Sequence, residues 1–125
     1  MENVEYVQKG FRVLQPLLSG YIAQEMSRVY RGNGKWWEEV LSLLSDQYDL
    51  PLYGDFGYLV DSLDIANCLR VIDRAWREVF GDRLPISCRS WAKELMGVRN
   101  TVAHIGGKDL PQLDAERALD TMALL

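Results

Sequence analysis

Residues that ligate soft metals or attack acyl centres are scarce in this sequence, which has one histidine, His104, and two cysteines, Cys68 and Cys88. Neither cysteine belongs to a Cys-x-x-Cys pair, so the ligand supply does not suit a structural zinc site. They read as reduced, packed thiols of a cytoplasmic protein, with one disulfide as the alternative. No Gly-rich loop runs into Lys-Ser or Lys-Thr, which removes a P-loop. No Gly-x-Gly-x-x-Gly follows a strand pattern, which removes a dinucleotide fold. No apolar run approaches the roughly 20 residues that span a bilayer. The N-terminus, MENVEYVQKG, is acidic and mixed, unlike a signal peptide. The net charge of −4 speaks against a broad nucleic-acid surface. It leaves room for a local basic cleft, because binding follows local potential and not the total. Asp55, Asp61 and Asp64 form the one acidic group near enough in sequence to suggest a metal. Helix capping and solvated charge account for them better, and neither metal nor cofactor is expected.

What the chain does carry is helical periodicity. From Asn3 to Tyr30 apolar residues recur three and four apart, through Val4, Val7, Phe11, Leu14, Leu18, Ile22 and Met26. Pro16 lacks an amide hydrogen, so a kink or break is expected near Gln15. Arg31-Gly32-Asn33-Gly34 is turn chemistry. Lys35 to Ser45 is helical again, with Trp36, Val40, Leu43 and Leu44 inward. Asp46 to Gly57 reads as an irregular, partly buried loop. The next helix is expected to be capped by Asp61 or Ser62 and to bury Ile65, Leu69, Ile72, Trp76 and Val79 before Gly81. A last helix, capped by Asp114, would bury Ala115, Leu119, Met122 and Leu125. There is no repeat, no low-complexity segment and no convincing strand. The expectation is an all-α bundle of about four or five helices with irregular connections, a single domain over residues 1–125. The final helix runs out at Leu124-Leu125 with no polar tail, which suggests the front module of a longer protein.

The most informative stretch is Trp91 to Gly106, WAKELMGVRNTVAHIG. Trp91, Leu95, Val98 and Val102 share a narrow arc of a helix, the packing face. Arg99, Ala103, Asn100 and His104 spread over roughly 140° of the other side, at about 100° per residue. Gly106 and Gly107 are expected to stop the helix two residues after His104. A cation, an amide and an imidazole on one face suit phosphodiester cleavage. An imidazole titrates near neutrality and can take a proton from a ribose 2′-hydroxyl. A guanidinium can hold the phosphate and offset charge in the transition state. Asn100 can donate to a phosphate oxygen or orient the imidazole. RNA brings its own nucleophile, so no metal is needed. The competing reading is structural: an imidazolium in the last turn also steadies free helix carbonyls, and Arg99 can be a surface partner of Glu94 or Asp114.

Arg99-Asn100-x-x-x-His104 on the penultimate helix of an all-α chain resembles the HEPN superfamily. Its ribonuclease signature is Arg, four to six residues, then His, usually with a polar residue after the Arg. Trp36-Trp37, the run Asp64 to Phe80, Glu94 to Asn100 with Ala103-His104, and Ala118 to Met122 resemble one branch. That branch occurs in a nuclear RNA-surveillance endoribonuclease and fused to large ATPases in bacterial defence loci. The resemblance implies a homodimer in which two motifs share one RNA cleft. Ala92, Met96 and Ala103, small or pliant, would then lie at the dimer interface. A tyrosine that follows the histidine in the toxin branch is replaced here by Gly106, so regulation through it is not expected.

Arg70, Arg74 and Arg77 form a helical basic stripe, and with Lys93 they are candidate RNA-binding cations. Asp73 and Glu78 interrupt the stripe, and a solvated face is the plainer reading. Trp36-Trp37 can stack bases, but one inward and one at a helix junction is the ordinary outcome. The leading expectation is a metal-independent endoribonuclease domain of an RNA-targeting or antiviral defence system, with Arg99, Asn100 and His104 as catalytic residues. The alternative is a non-catalytic module that dimerises or binds RNA or nucleotide for an ATPase following Leu125. A third is a helical adaptor, with the arginine and histidine separated or buried in internal pairs.

Overall fold

A computed structural model describes residues 2–125. Six α-helices follow one another: α1 Asn3–Val29, α2 Lys35–Leu43, α3 Phe56–Asp61, α4 Ile65–Arg74, α5 Ile86–Ala103 and α6 Gln112–Leu124. No strand occurs among the described residues. The class is all-α, and the helix count exceeds the four or five expected because α3 was not legible.

The long helix α1 is the post of the bundle, packing against α2, α3, α4 and α6. Its apolar stripe, Val7, Phe11, Leu14, Leu18, Ile22 and Met26, is buried as the spacing requires. The expected break is absent, since α1 runs unbroken through Pro16. The proline is exposed and costs one backbone hydrogen bond on the solvent side. Beside it, Gln15 Nε2 donates to the carbonyl of Leu63 at 2.6 Å and ties the helix to the α3–α4 turn.

The connections depart most from expectation. The loop after α2 is largely exposed rather than partly buried, with Tyr48 and Tyr53 facing solvent. Asp55 caps α3 by accepting from the Tyr58 amide at 2.8 Å. Asp64, not Asp61 or Ser62, caps α4 by accepting from Asn67 N at 2.8 Å. Beyond Arg74 the helix widens into a π-helical turn, Trp76–Phe80. Gly81 closes it, and its amide donates to the Trp76 carbonyl at 2.7 Å. A Cβ there would stand 2.9 Å from that same oxygen, so glycine is required by close approach. Helix α6 begins at Gln112, with Pro111 rather than Asp114 at the cap position and Asp114 inside its first turn. Leu119 is half exposed, and Ala118 and Thr121 take the buried face.

The N-terminus of α1 has no cap of its own; Asp109, from the α5–α6 link, accepts from the amides of Asn3 and Val4 at 3.1 and 2.8 Å. These bonds hold its carboxyl below the usual range. Asp109→Ala is therefore expected to remove the exchange protection of the Asn3 and Val4 amides. Hydrogen exchange read by mass spectrometry checks this, and mid-helix peptides should be unaffected.

The α2–α4 contact is electrostatic at its rim. Arg74 grips Asp46 through both nitrogens at 2.7 and 3.1 Å and also donates to the Leu43 carbonyl. The paired guanidinium holds the Asp46 carboxyl down at about 2. Because the folded value lies below the unfolded one, the stabilisation is full above about pH 4 and fades as the pH falls through about 2. The pair is exposed, so its share of stability is small. A carboxyl-carbon NMR titration is expected to show the depressed midpoint in wild type and its return to the ordinary range in Arg74→Met.

Both cysteines are free and buried. Burial pushes the Cys68 thiol up to about 12, so it stays protonated and inert.

Candidate functional site

Helix α5 lies across α4 and α6. A helix wedged between two neighbours buries a wider arc than one apolar stripe, and this decides what remains for a site. Cys88, Ala92 and Leu95 form its buried line, with Trp91, Met96, Val98 and Val102 packed partly against the core. Ala92, expected at a dimer interface, is only 1% exposed and cannot meet a partner. Its small side chain serves contact with α4 instead. Met96 is half buried in the α4–α5 groove, and Ala103 is exposed.

The helix ends at Ala103, before the expected stop at Gly106, and His104 is the residue at its C-terminal cap. Gly106, in the left-handed region at φ 66°, turns the chain away. His104 is exposed, and among the described residues its side chain makes no ion pair. Arg99 is half exposed; its one side-chain bond is to Asn100 Oδ1 at 3.4 Å. Neither expected partner of Arg99 pairs with it. Glu94 pairs with Arg117 at 2.7 Å, and Asp114 makes no ion pair with it. Neither group is thus buried in an internal pair, one of the two arrangements expected of an adaptor; no bond joins them to each other either.

The three residues share one helix end, but Arg99 and Asn100 open onto different hollows. Arg99 and Ala103 line a shallow depression over α1, together with Gln8, Phe11 and Arg12. Asn100 lines a groove of about 370 Å³ between α4 and α5. Arg12 thus joins Arg99 at one hollow, a residue that periodicity could not nominate. It sits on the exposed side of α1, where an arginine carries no pattern of its own.

The four basic candidates separate. Arg70, Arg74 and Lys93 line the α4–α5 groove, while Arg77 stands apart on the π-helical turn. Arg74 is committed to Asp46, and Lys93 lies 3.7 Å from Asp73, which also binds Arg89 at 2.9 Å. Trp36 and Trp37 are both buried, so neither is a free stacking surface. Among the described residues, no three His, Cys, Asp or Glu side chains gather as a metal site. No described helix is long and apolar enough to cross a membrane.

The family model Swt1-like HEPN matches residues 9–125, from the second turn of α1 to the end of α6. The chain belongs to the Swt1-like HEPN family. No curated protein and no solved structure matches it. In this HEPN domain the matched span holds α2 to α6, α1 from its second turn, and the whole Arg99-to-His104 segment. The fold places that segment at a free helix end, beside one hollow that holds a second arginine and another that is rich in cations.

Proposed function

We propose that this HEPN domain is a metal-independent endoribonuclease that acts as a homodimer, in an RNA-targeting or defence setting. The observation that carries the reading is the exposed end of α5, where His104 stands uncommitted and Arg99 binds only its neighbour Asn100. The guanidinium and the imidazole lie five residues apart along one helix end, and neither is taken up in an ion pair that would cancel its charge, which leaves both free to meet a substrate.

In the proposed reaction His104 accepts the proton of a ribose 2′-hydroxyl. The 2′-oxygen forms a bond to the adjacent phosphorus as the bond to the 5′-oxygen breaks. The departing 5′-oxygen takes a proton from the histidine of the second copy. Arg99, with Arg12 beside it, binds the phosphate and offsets its growing charge; Asn100 positions it. The products are a 2′,3′-cyclic phosphate and a 5′-hydroxyl. Ala103, exposed beside the motif, is the contact where a second copy can approach closely.

The test is incubation of the purified chain with single-stranded RNA in excess chelator, with product ends resolved by phosphatase sensitivity. Cyclic phosphate ends support the reading. Intact RNA favours the alternative, a non-catalytic module that dimerises or binds RNA for an ATPase partner. In favour of that alternative, Arg99 and Asn100 open onto separate hollows within one copy.

A further inference from the structure

The groove between α4 and α5 holds an arginine in an unusual state. Arg70 Nη1 donates to two neutral oxygens, Gln47 Oε1 at 3.1 Å and Asn67 Oδ1 at 2.9 Å. Among the described residues no carboxylate lies within ion-pair distance of it. Its neighbour Arg74 is neutralised by Asp46. Amide oxygens fix a guanidinium in place without cancelling its charge, so Arg70 is both ordered and electrically free. Lys93 faces the same groove from α5, weakly held at 3.7 Å by Asp73. Counting Arg70, Arg74, Arg89 and Lys93 against Asp46 and Asp73, the rim carries an excess of two positive charges. The whole chain is negative, at −4. A local excess of that sign on an acidic domain is an attraction for a polyanion.

The groove is continuous with the motif, because Asn100 lines it and accepts from Arg99. Two of its arginines are tied to the α2–α3 loop. There Asp46 and Gln47 clasp the two arginines, and the next residue, Tyr48, is 88% exposed. Cations in a groove hold single-stranded nucleic acid by phosphate contact, and an exposed aromatic ring on a loop tied to those cations can add base stacking.

We infer that the α4–α5 groove is the track for the RNA strand flanking the scissile phosphate, with Arg70 as its fixed phosphate anchor and Lys93 as a second contact. This rests on the ribonuclease reading for its substrate, and it assigns where the strand runs once past Asn100. Asp73 sets the strength of the site by competing for Lys93 and Arg89.

The test measures binding and not cleavage. The full chain carrying His104→Ala is titrated, in chelator, against a short fluorescein-labelled oligouridylate, and anisotropy is read over a series of salt concentrations. Arg70→Gln and Lys93→Gln are each expected to weaken binding several-fold. Each should also reduce the slope of log affinity against log salt by about 0.7, the value for one lost single-strand phosphate contact. Asp73→Asn is expected to tighten binding, the reverse of what structural damage would do. Tyr48→Ala should weaken binding without changing the slope. Unchanged affinity and slope in Arg70→Gln and Lys93→Gln overturn the proposal. Displacement of the RNA by polyglutamate of equal charge as efficiently as by unlabelled RNA also overturns it, pointing to an acidic polypeptide. Should Arg70→Gln melt early, the opposed signs of Lys93→Gln and Asp73→Asn decide, and any other pattern counts against the groove. The two readings fail separately: cleavage without these binding effects removes the track, and the effects without cleavage by wild type remove the nuclease.

Discussion

Replacing His104 by alanine is expected to lower RNA cleavage by about 10²–10⁴-fold, the range that general acid–base catalysis supplies. The side chain is exposed beyond the end of α5, so its removal leaves no cavity. Its urea midpoint should match wild type, and the loss can then be assigned to chemistry. Arg99→Ala is expected to cost about 10²–10³-fold, as when one preorganised donor to a developing charge is lost. Its only side-chain bond, to Asn100, is long at 3.4 Å, so little structure goes with it. Arg99→Lys keeps the charge but not the planar fork, and should fall between wild type and the alanine variant. If the two groups act on one transition state, the double alanine variant will be little worse than the poorer single variant. Single-turnover rates in excess chelator decide the matter. Wild-type rates in both single variants would remove these residues from the mechanism.

Much of the helical frame was legible because it obeys one rule. In α1 the apolar stripe repeats at helical spacing and is buried as the repeat names it; in α4 Leu69 and Ile72 are buried as named, but Ile65 is only partly so, and Ala66, Cys68 and Val71 are buried too because α4 packs on both α1 and α5. The failures have physical causes of their own. Helix α3, FGYLVD, is shorter than two turns, so it has no period to read; its one signal was Asp55, whose carboxylate serves as the cap. The start of α6 carried two signals. Pro111 suits the beginning of a helix, and a carboxylate such as Asp114 suits both a cap and a first turn, where the helix dipole favours it. Ala92 was misplaced because alanine is neutral to periodicity. Whether it is buried depends on how many neighbours α5 has, which no single stripe reports.

The same reasoning separates what could and could not be read of the candidate site. Arg99, Asn100 and His104 lie within one helix end, so their spacing alone sets their relation. Arg12 and Arg70 reach the neighbourhood only through the packing of α1 and α4. Arg70 also depends on Gln47 in a loop, and loop geometry leaves no periodic trace. A helix end can thus advertise a reactive group in sequence, while the groove that would feed it stays hidden until the helices are set side by side.

Trp37→Ala is expected to destabilise the fold by about 3–5 kcal/mol, the cost of removing a buried aromatic from a core that collapses only in part. The indole is 2% exposed and meets Trp36 edge-on, with ring centroids 5.4 Å apart. It also has a polar duty. Its Nε1 donates to the Pro51 carbonyl at 2.8 Å and pins the α2–α3 loop to α2. Trp37→Phe keeps most of the apolar area but leaves that carbonyl without its partner, which should cost about 1–3 kcal/mol. Urea denaturation followed by circular dichroism measures both: the midpoint should fall in that order with the slope unchanged. The loop gives the experiment a second readout, because Gln47 and Asp46, which hold Arg70 and Arg74, belong to it. If the loop is held chiefly by the indole, Trp37→Phe should raise amide exchange from Asp46 to Pro51 at a urea concentration where α1 stays fully protected. Exchange that rises equally throughout the chain would mean that the indole supports the core alone, and that the loop is kept in place by the arginines of α4.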